Sequence, residues 1–418
     1  MRIAVIGAGV SGLVAAHMLH RDGHDVAVLE AGAYAGGHTN TIRVDDDAAG
    51  ATLDVDTGFI VFNNRNYPNF ERLLERLGVA SQPSDMSFGV ADEAGDFEYA
   101  STSPNGLFAK RAHLASPMFH RMMLDVRRFQ RDGRALLQSD ADPSLAQWLA
   151  DNDYSRPFVE RLIVPQAAAV WSADPAQMWT FPARFLVQFF DNHGMLDLKD
   201  RPQWRVVRGG SRRYVDALTA PFAGAIRLRT PVHAVVRDDD GVTVTPRGGV
   251  PERYDRIVLA THADQALAVL GDDATDRERE LLSAFPYVPN EAVLHHDERL
   301  MPRRRRAWAS WNYHLVATPT GKPTVTYHMN RLQSLRSGGR QWCVTLNRTE
   351  AIDPSKIVRT IQYAHPVFTA EGMGAQRRVD EISQGRTHFC GAYWGWGFHE
   401  DGVVSGLRVA GELGARVA

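Results

Sequence analysis

Three glycines and one glutamate near the start of the chain have the types and spacing of a phosphate-binding turn. Gly7, Gly9 and Gly12 form a Gly-x-Gly-x-x-Gly pattern, and Glu30 follows 18 residues after Gly12. Gly7 allows a tight turn, Gly9 lets the backbone approach a pyrophosphate, and Gly12 lets a helix pack closely on a strand. A carboxylate at the position of Glu30 can accept hydrogen bonds from a ribose hydroxyl. The pattern therefore predicts dinucleotide binding, with a ligand-free glycine turn as the alternative.

The elements around this pattern are those that would position it against a nucleotide. Residues 2–6 form a continuous apolar run that is typical of a buried parallel strand, and a helical pattern follows the glycines. Val26 and Val28 lie in a second apolar run that ends at Glu30. The free N–H groups and positive dipole at the start of the helix favour phosphate. Together these elements predict a βαβ nucleotide-binding unit.

Two further runs of small residues could extend the cradle along a longer dinucleotide. They lie at residues 35–39 and 54–60, shortly after the proposed ribose acid. Ordinary loops or turns without a ligand are an equally good interpretation of both runs.

Similar elements recur in the centre and towards the end of the chain. Residues 232–236 and 242–245 flank an Asp-Asp-Gly turn and predict a hairpin. Residues 254–261 and 387–391 predict buried strands, and residues 403–415 predict an amphipathic helix. Between them lie two blocks with helical periodicity and many aromatic residues. We therefore expect an α/β protein with a nucleotide-binding domain at 1–65, 205–270 and 387–418, and a substrate domain at 66–204 and 271–386.

Composition restricts the classes of function. The chain has 418 residues, 44% of them hydrophobic and 23% charged, which is typical of a soluble globular protein with two or three domains. A net charge of −2 provides no global field for nucleic acid, so we expect no such partner. Cys343 and Cys390 cannot build a disulfide framework, and no grouping has metal-ligand spacing. No run reaches the ~20 apolar residues of a membrane span, and we expect a cytoplasmic protein without a metal.

In combination, the motifs resemble the FAD-dependent superfamily of amine oxidases, protoporphyrinogen oxidases and phytoene-type desaturases. The resemblance implies a discontinuous Rossmann-type FAD-binding domain with an inserted α+β substrate domain. It implies that Val232 binds adenine through its backbone, and that the helix start near Gly402 faces the pyrimidine end of the flavin. The residues expected to bind FAD are Gly7, Gly9, Val10, Ser11, Gly12, Glu30, Ala31, Gly36, Gly37, His38, Thr39, Gly58, Phe59, Val232, Ala260, Thr261, Gly391, Gly402, Val403 and Val404.

Two departures from the superfamily disfavour a literal amine oxidase. Classical amine oxidases carry a lysine beside the flavin N5, whereas the matching segment, residues 287–297, contains none. The Gly-Gly-Arg of that family is replaced by a Gly-Gly pair followed by His38.

A narrower resemblance suggests a substrate. Residues 165–172, 308–313 and 393–402 are similar to a bacterial flavoprotein subgroup related to the flavin-binding portion of plant cyclopropane fatty acid synthases. Members of that subgroup are linked to fatty-acid methyltransferases. The resemblance implies dehydrogenation of a methyl-branched or related fatty acyl chain of phospholipid, including furan fatty acid intermediates. Two alternatives stay open: a flavin amine oxidase, and an FAD-binding partner subunit of a lipid methyltransferase.

Five residues are candidates for the chemistry. Tyr393 and Trp396 precede the predicted flavin-facing helix and could wall the ring, or could pack the core. His399 lies at the start of that helix. His295 and His296 are neighbours on a predicted strand, so at most one of them can face the flavin.

Two segments mix basic and apolar residues in the manner of a surface that docks on anionic lipid. Residues 303–306 are four arginines followed closely by Trp308, and residues 107–128 contain a second mixture. We expect peripheral attachment to the inner face of the cell membrane through the first segment, with a solvated charge run as the alternative.

Overall fold

Five parallel strands drawn from three parts of the chain form the nucleotide-binding sheet. The computed structural model describes residues 1–47, 49–172, 174–197, 201–318 and 320–416. The strands lie in the spatial order Ile226–Arg227, Asp25–Leu29, Arg2–Ile6, Arg256–Leu259 and Thr387–Phe389. Because parallel strands are covered on both faces, their apolar runs are continuous rather than alternating.

Different layers cover the two faces of this sheet. On one face lie the helices Val10–Arg21, Pro68–Arg76, Arg212–Thr219 and His399–Glu412. On the other lie the helices Ala263–Leu270 and Asp276–Ser283, together with an antiparallel sheet. The strands of that sheet are Val232–Asp238, Gly241–Pro246 and Glu252–Tyr254.

A seven-stranded sheet forms the centre of the second region. Its strands lie in the order Ile357–Pro366, Tyr287–His295, Cys343–Leu346, Val325–His328, Trp311–Leu315, Phe88–Asp92 and Glu98–Ala100. All neighbours are antiparallel except Trp311–Leu315 and Phe88–Asp92. We call this the substrate sheet.

A helical layer packs on one face of the substrate sheet and forms a large core with it. Its helices are Pro117–Leu137, Leu145–Asp151, Arg156–Phe158, Val164–Trp171 and Ala183–Asn192, with a π-helical turn at Val159–Ile163. Short helices lie at Pro104–Leu107, Met329–Leu332 and Ala370–Gln376. In the described part of the chain, no helix combines the length and apolar character needed to cross a membrane.

Two small sheets connect the regions. One pairs Thr41–Asp46 with Ala51–Asp56, and the other orders Phe62–Asn63, Trp204–Val207 and Ser81–Pro83. The expected α/β architecture is confirmed, while the domain boundaries stay a prediction. Leu281 and Phe285, beyond the expected boundary at residue 270, pack in the same core as the nucleotide-binding strands.

Candidate functional site

In the first glycine loop, Gly7 and Gly12 have no space for a side chain, whereas Gly9 has free space beside it. Gly7 has a φ of +105°, and a Cβ built there would lie 2.7 Å from the Ala260 carbonyl oxygen. A Cβ at Gly12 would lie 2.1 Å from the Gly7 oxygen, so helix and strand could not pack with any side chain there. A Cβ at Gly9 would meet nothing within 4 Å. The loop thus leaves open space above Gly9, where a pyrophosphate is expected.

Glu30 ends the second parallel strand and is held by backbone donors. Its two carboxylate oxygens accept from the N–H groups of Ala8 (2.7 Å) and Gly32 (2.6 Å). Because a carboxylate has about four lone-pair sites, acceptor capacity remains for a ribose. The N–H of Thr230 donates to the Glu30 carbonyl oxygen, which brings the segment before Val232 beside the acid. The residues expected to bind ribose and adenine, Glu30 and Val232, therefore lie close together. Ala31, next to Glu30, is exposed.

The second glycine pair lies against the first loop. The N–H of Gly36 donates to the Ala8 carbonyl oxygen at 2.7 Å, and Gly9 and Gly36 form an isolated parallel bridge. A Cβ on Gly37, whose φ is +59°, would lie 3.2 Å from the Gly9 Cα. Residues separated by almost thirty positions thus form one cradle.

Two helix N-termini converge on this cradle. A Cβ at Gly402 would lie 2.6 Å from a methyl group of Val10 and 3.1 Å from the Ser11 hydroxyl oxygen, so the helices touch where they begin. The Ser405 hydroxyl accepts from the N–H of Gly391 at 3.0 Å and fixes the preceding loop. On the same helix, Val403 is buried whereas Val404 is 45% exposed.

The residues present fit a dinucleotide. The helix Val10–Arg21 has no acidic residue in its first turn and no side-chain cap, so its first N–H groups are free for an anion. The open space above Gly9 lies beside that helix start. A pyrophosphate there would accept from the backbone, and Glu30 would accept from the adjoining ribose.

His399 is packed between an aromatic ring and a hydrogen-bond partner. Its ring stacks on Phe59, and its Nε2 lies 2.7 Å from the Tyr214 hydroxyl, which in turn lies 2.6 Å from the hydroxyl of Thr39. Burial lowers the pKa of His399 to about 3, so the imidazole is neutral. These contacts favour a structural role, and the catalytic role stays a prediction.

His295 and His296 lie at the far end of a strand in the substrate sheet. The Nε2 of His295 lies 2.7 Å from the Thr345 hydroxyl, and its Nδ1 accepts from the Asp297 N–H at 3.0 Å. Strand alternation places His295 on the face opposite to Leu294, which packs in the core beneath the helical layer. His296 is half-buried beside Trp342. Both ring nitrogens of His295 are therefore committed within the sheet.

The two aromatic candidates lie in different surroundings. Tyr393 is 3% exposed and packs against Phe285, with ring centroids 5.0 Å apart, on the face of the nucleotide-binding sheet covered by Ala263–Leu270. Its hydroxyl has no hydrogen-bond partner among the described residues. Trp396 stacks on Phe185 of the helical layer at 4.2 Å. Trp396 thus belongs to the substrate side, and Tyr393 to the core.

Three histidines that converge between the two regions form what we call the histidine cluster: His38, His262 and His365. His38 stacks on Tyr363 at 4.7 Å and lies 5.2 Å from His365, measured between ring centroids. His262 directly follows Thr261, at the end of a nucleotide-binding strand, and stacks on Tyr287. The cluster therefore borders the second glycine pair, the strand end and the substrate sheet.

Burial keeps the imidazoles of this cluster neutral. It lowers the pKa of His365 to about 4, with a smaller effect from His262. It lowers the pKa of His38 well below its ordinary value, assisted by the neighbouring histidines. The pKa of His262 is lowered by the same cause. The Nε2 of His38 is buried and has no partner among the described residues.

Reasoning from the sequence missed His262 and His365 and assigned His38 to the cofactor alone. One signal was available: Tyr363 and His365 alternate on a strand and therefore share a face. Nothing in the sequence indicated which face points at the nucleotide-binding sheet.

The arginines at 303–306 are partly committed to the protein. Arg304 donates to Glu98 at 3.0 Å, and Glu98 is fully buried. The guanidinium of Arg303 donates to the Glu93 carbonyl oxygen, and Arg305 pairs with Glu298 at 3.2 Å. Arg306 is exposed. Membrane docking through this run stays a prediction. Fewer of its charges are available for lipid than the sequence suggests.

Comparison with known proteins identifies the fold and the cofactor. Residues 10–306 match the family model described as flavin containing amine oxidoreductase. The chain is similar to a flavin-dependent L-tryptophan oxidase of Lentzea aerocolonigenes, at 27% identity over 271 residues, covering 59% of this chain and 54% of that protein. It spans about half the length (54%) of the curated relatives it matches first.

Solved structures share the fold at low identity. A cyclohexylamine oxidase from Brevibacterium oxydans superposes with a TM-score of 0.66 at 19% identity, covering 99% of each chain. A conjugated-linoleic-acid-producing fatty acid isomerase from P. acnes superposes with a TM-score of 0.65 at 17% identity, covering 97% of this chain and 96% of that one. These structures confirm the fold, and the family match confirms the superfamily resemblance and FAD as cofactor. The chain belongs to the flavin-containing amine oxidoreductase family.

Proposed function

We propose that this oxidoreductase dehydrogenates a fatty acyl chain of phospholipid, methyl-branched or otherwise modified, including furan fatty acid intermediates. The observation that carries the proposal is a connected cluster of aromatic side chains on the substrate side, which we call the aromatic wall. Trp396 stacks on Phe185, and Phe398 stacks on Phe189 at 5.3 Å. Trp171 packs against Phe189 at 4.8 Å and extends the wall into the helical layer. Contact with such a cluster would suit a hydrocarbon, because each buried CH₂ contributes about 0.8 kcal/mol.

The polar groups between the nucleotide-binding sheet and the substrate sheet suit a neutral substrate. The histidine cluster is uncharged, and the carboxamide of Asn290 is a hydrogen-bond partner of His365 on the substrate sheet. The segment that carries a lysine in classical amine oxidases contains none here. This combination supports acyl-chain oxidation over amine oxidation.

FAD, when bound, supplies the acceptor for the hydride equivalent that leaves the substrate, and a carbon–carbon single bond becomes a double bond as a proton is also lost. The chain's own residues hold the cofactor through the glycine cradle and Glu30. The aromatic wall orients the acyl chain and excludes water. The fatty acid isomerase named above has the same fold, so the proposal is compatible with the architecture.

The test is lipid mass spectrometry of cells that produce the wild type or the Gly9→Ala variant, together with anaerobic flavin bleaching by purified protein. We expect acyl chains two mass units lighter with the wild type alone, and bleaching by phospholipid vesicles containing methyl-branched chains. Bleaching by amines or amino acids but not by lipids would overturn the proposal in favour of an amine oxidase, the activity suggested by the name of the L-tryptophan oxidase relative.

A third outcome would also overturn it. If the flavin is bound but no lipid or amine bleaches it, and the protein copurifies with a lipid methyltransferase, the FAD-binding partner subunit is the better description.

A further inference from the structure

Asn290, in the strand Tyr287–His295, and Asn347, directly after the neighbouring strand Cys343–Leu346, fix the orientation of each other's side chains. The Oδ1 of Asn347 accepts from the Glu291 N–H at 3.0 Å, so its Nδ2 must be the donor. That Nδ2 donates to the Pro323 carbonyl oxygen at 3.0 Å and to the Oδ1 of Asn290 at 2.8 Å. Hydrogen bonds to the Glu291 N–H and the Pro323 carbonyl oxygen therefore determine which end of each amide is oxygen and which is nitrogen.

A hydrogen bond from the oriented Asn290 amide fixes the tautomer of His365. Its Nδ2 donates to the Val288 carbonyl oxygen at 3.2 Å and to the Nδ1 of His365 at 3.1 Å. Asn290 is completely buried, so no water competes for these bonds. Because Nδ1 of His365 accepts, the single proton of the neutral ring lies on Nε2.

The face of the sheet directs this imidazole toward the cofactor region. Val288 pairs with His365, and Asn290 pairs with Tyr363, so all four side chains share one face. On that face Tyr363 stacks on His38, which directly follows the second glycine pair. The Tyr363 hydroxyl lies 3.0 Å from the Thr57 hydroxyl and would lie 3.0 Å from a Cβ at Gly58. His365 thus lies against residues expected to bind FAD.

We propose that His365 is a hydrogen-bond donor of fixed tautomer in the flavin pocket, with Asn290 and Asn347 as its positioning residues. Its Nε2–H donates to the flavin ring system and does not act as the base that takes the substrate proton. The inference rests on the FAD site and not on the identity of the substrate.

The first test reads the tautomer directly. In protein labelled with ¹⁵N-histidine, we expect His365 to show an Nε2–H neutral ring from pH 6 to pH 8, assigned by loss of its signals in His365→Gln. Asn290→Asp keeps the shape but turns the donor into an acceptor, so the proton should move to Nδ1 and the ring should titrate at higher pH. An Nδ1–H ring or an imidazolium in the wild type at pH 7 would overturn the proposal.

The second test reads the flavin without substrate. We expect His365→Leu to retain FAD, to shift the visible absorption maxima and to make the flavin midpoint potential more negative, because a donor to the ring stabilises the charge gained on reduction. His365→Gln keeps an N–H donor and should restore most of both properties. His120→Gln, at an exposed site of the helix Pro117–Leu137, serves as the control and should change neither.

Absorption maxima and potential equal to wild type in His365→Leu would refute a contact with the flavin. Neither test involves an acyl chain or an amine. Failure of every lipid to bleach the flavin would therefore reject the proposed function and leave this inference standing, and the reverse also holds.

Discussion

Phe59 and His399 stack face to face, with ring centroids 3.6 Å apart and 9° between their planes. This contact joins the loop after the strand Ala51–Asp56 to the start of the last helix. Since Tyr214 occupies the Nε2 of the same ring, His399 connects three segments that are distant in sequence.

We therefore expect His399→Ala to destabilise the protein by about 2–4 kcal/mol, through loss of a buried ring and of a hydrogen bond. Urea unfolding measures this change. Val404→Ala, at an exposed site of the same helix, should alter stability by less than about 0.5 kcal/mol. Loss of turnover in an FAD-loaded His399→Ala protein of unchanged stability would instead support the catalytic role.

The buried neutral histidines predict loss of stability in mild acid. Burial lowers the pKa values of His193 and His295 to about 4, and those of His314 and His399 to about 3. In the unfolded chain these rings take a proton near pH 6.5, so the unfolded state binds more protons between that pH and about 4. Each ring should cost about 2 kcal/mol of stability between pH 7 and pH 5.

Two carboxylates oppose part of this effect. Burial raises the pKa values of Asp56 and Asp401 to about 6, so the folded protein takes those protons first and gains stability as the pH falls below 6. Denaturation at pH 5 and pH 7 measures the net change, and His314→Gln should reduce it by about 2 kcal/mol. Equal stability at the two pH values would contradict the assignment of neutral buried rings.

In the glycine cradle, one substitution should impair cofactor binding without impairing folding. Gly9→Ala should leave the free energy of unfolding of the apoprotein nearly unchanged, because the new Cβ meets no protein atom within 4 Å. The same methyl group would occupy the space expected for the pyrophosphate, so purified protein should contain at least tenfold less FAD. Absorbance at 450 nm after acid release measures the content.

Gly224→Ala is the matched control, since its Cβ also meets nothing within 4 Å and lies away from the cradle. Gly12→Ala should instead prevent folding, because its Cβ would collide with the Gly7 oxygen. Full FAD content in Gly9→Ala would show that the pyrophosphate binds elsewhere.

Within the arginine run, we expect some side chains to contribute to folding stability and others only to surface charge. Arg304→Gln should cost about 3 kcal/mol, because it removes the guanidinium that pairs with the buried carboxylate of Glu98. Arg306→Gln, at an exposed site, should leave stability unchanged.

If the run docks on membranes as we propose, replacing Arg305 and Arg306 together should weaken binding to anionic vesicles by about 2 kcal/mol. Sedimentation with vesicles that contain phosphatidylglycerol measures this, with phosphatidylcholine vesicles as the control. Wild-type protein that remains in the supernatant at low salt would reject this surface.

Local patterns predicted the nucleotide-binding elements closely. The strand expected at 2–6 is Arg2–Ile6, and the hairpin around Asp239 lies between Val232–Asp238 and Gly241–Pro246. The helix expected at 403–415 begins earlier, at His399, because Asp401 caps it by accepting from the Phe398 N–H. These elements follow from glycines, apolar runs and caps within a few residues of one another.

The histidine cluster could not be predicted in the same way. His38 and His365 are separated by more than three hundred residues, and they meet only because the substrate sheet turns one of its two faces toward the glycine cradle. Alternation along a strand shows which residues share a face but not what that face contacts. Tertiary packing decides the second question.

The order of strands in the nucleotide-binding sheet has a consequence for how the protein is made. Arg256–Leu259 pairs with Arg2–Ile6 on one side and with Thr387–Phe389 on the other, so its two neighbours lie far apart along the chain. Such a sheet has a high contact order and closes slowly. During synthesis the first glycine loop emerges long before the helix His399–Glu412 that meets it. Productive cofactor capture therefore has to await that helix, and until then the incomplete sheet leaves strand edges that favour aggregation.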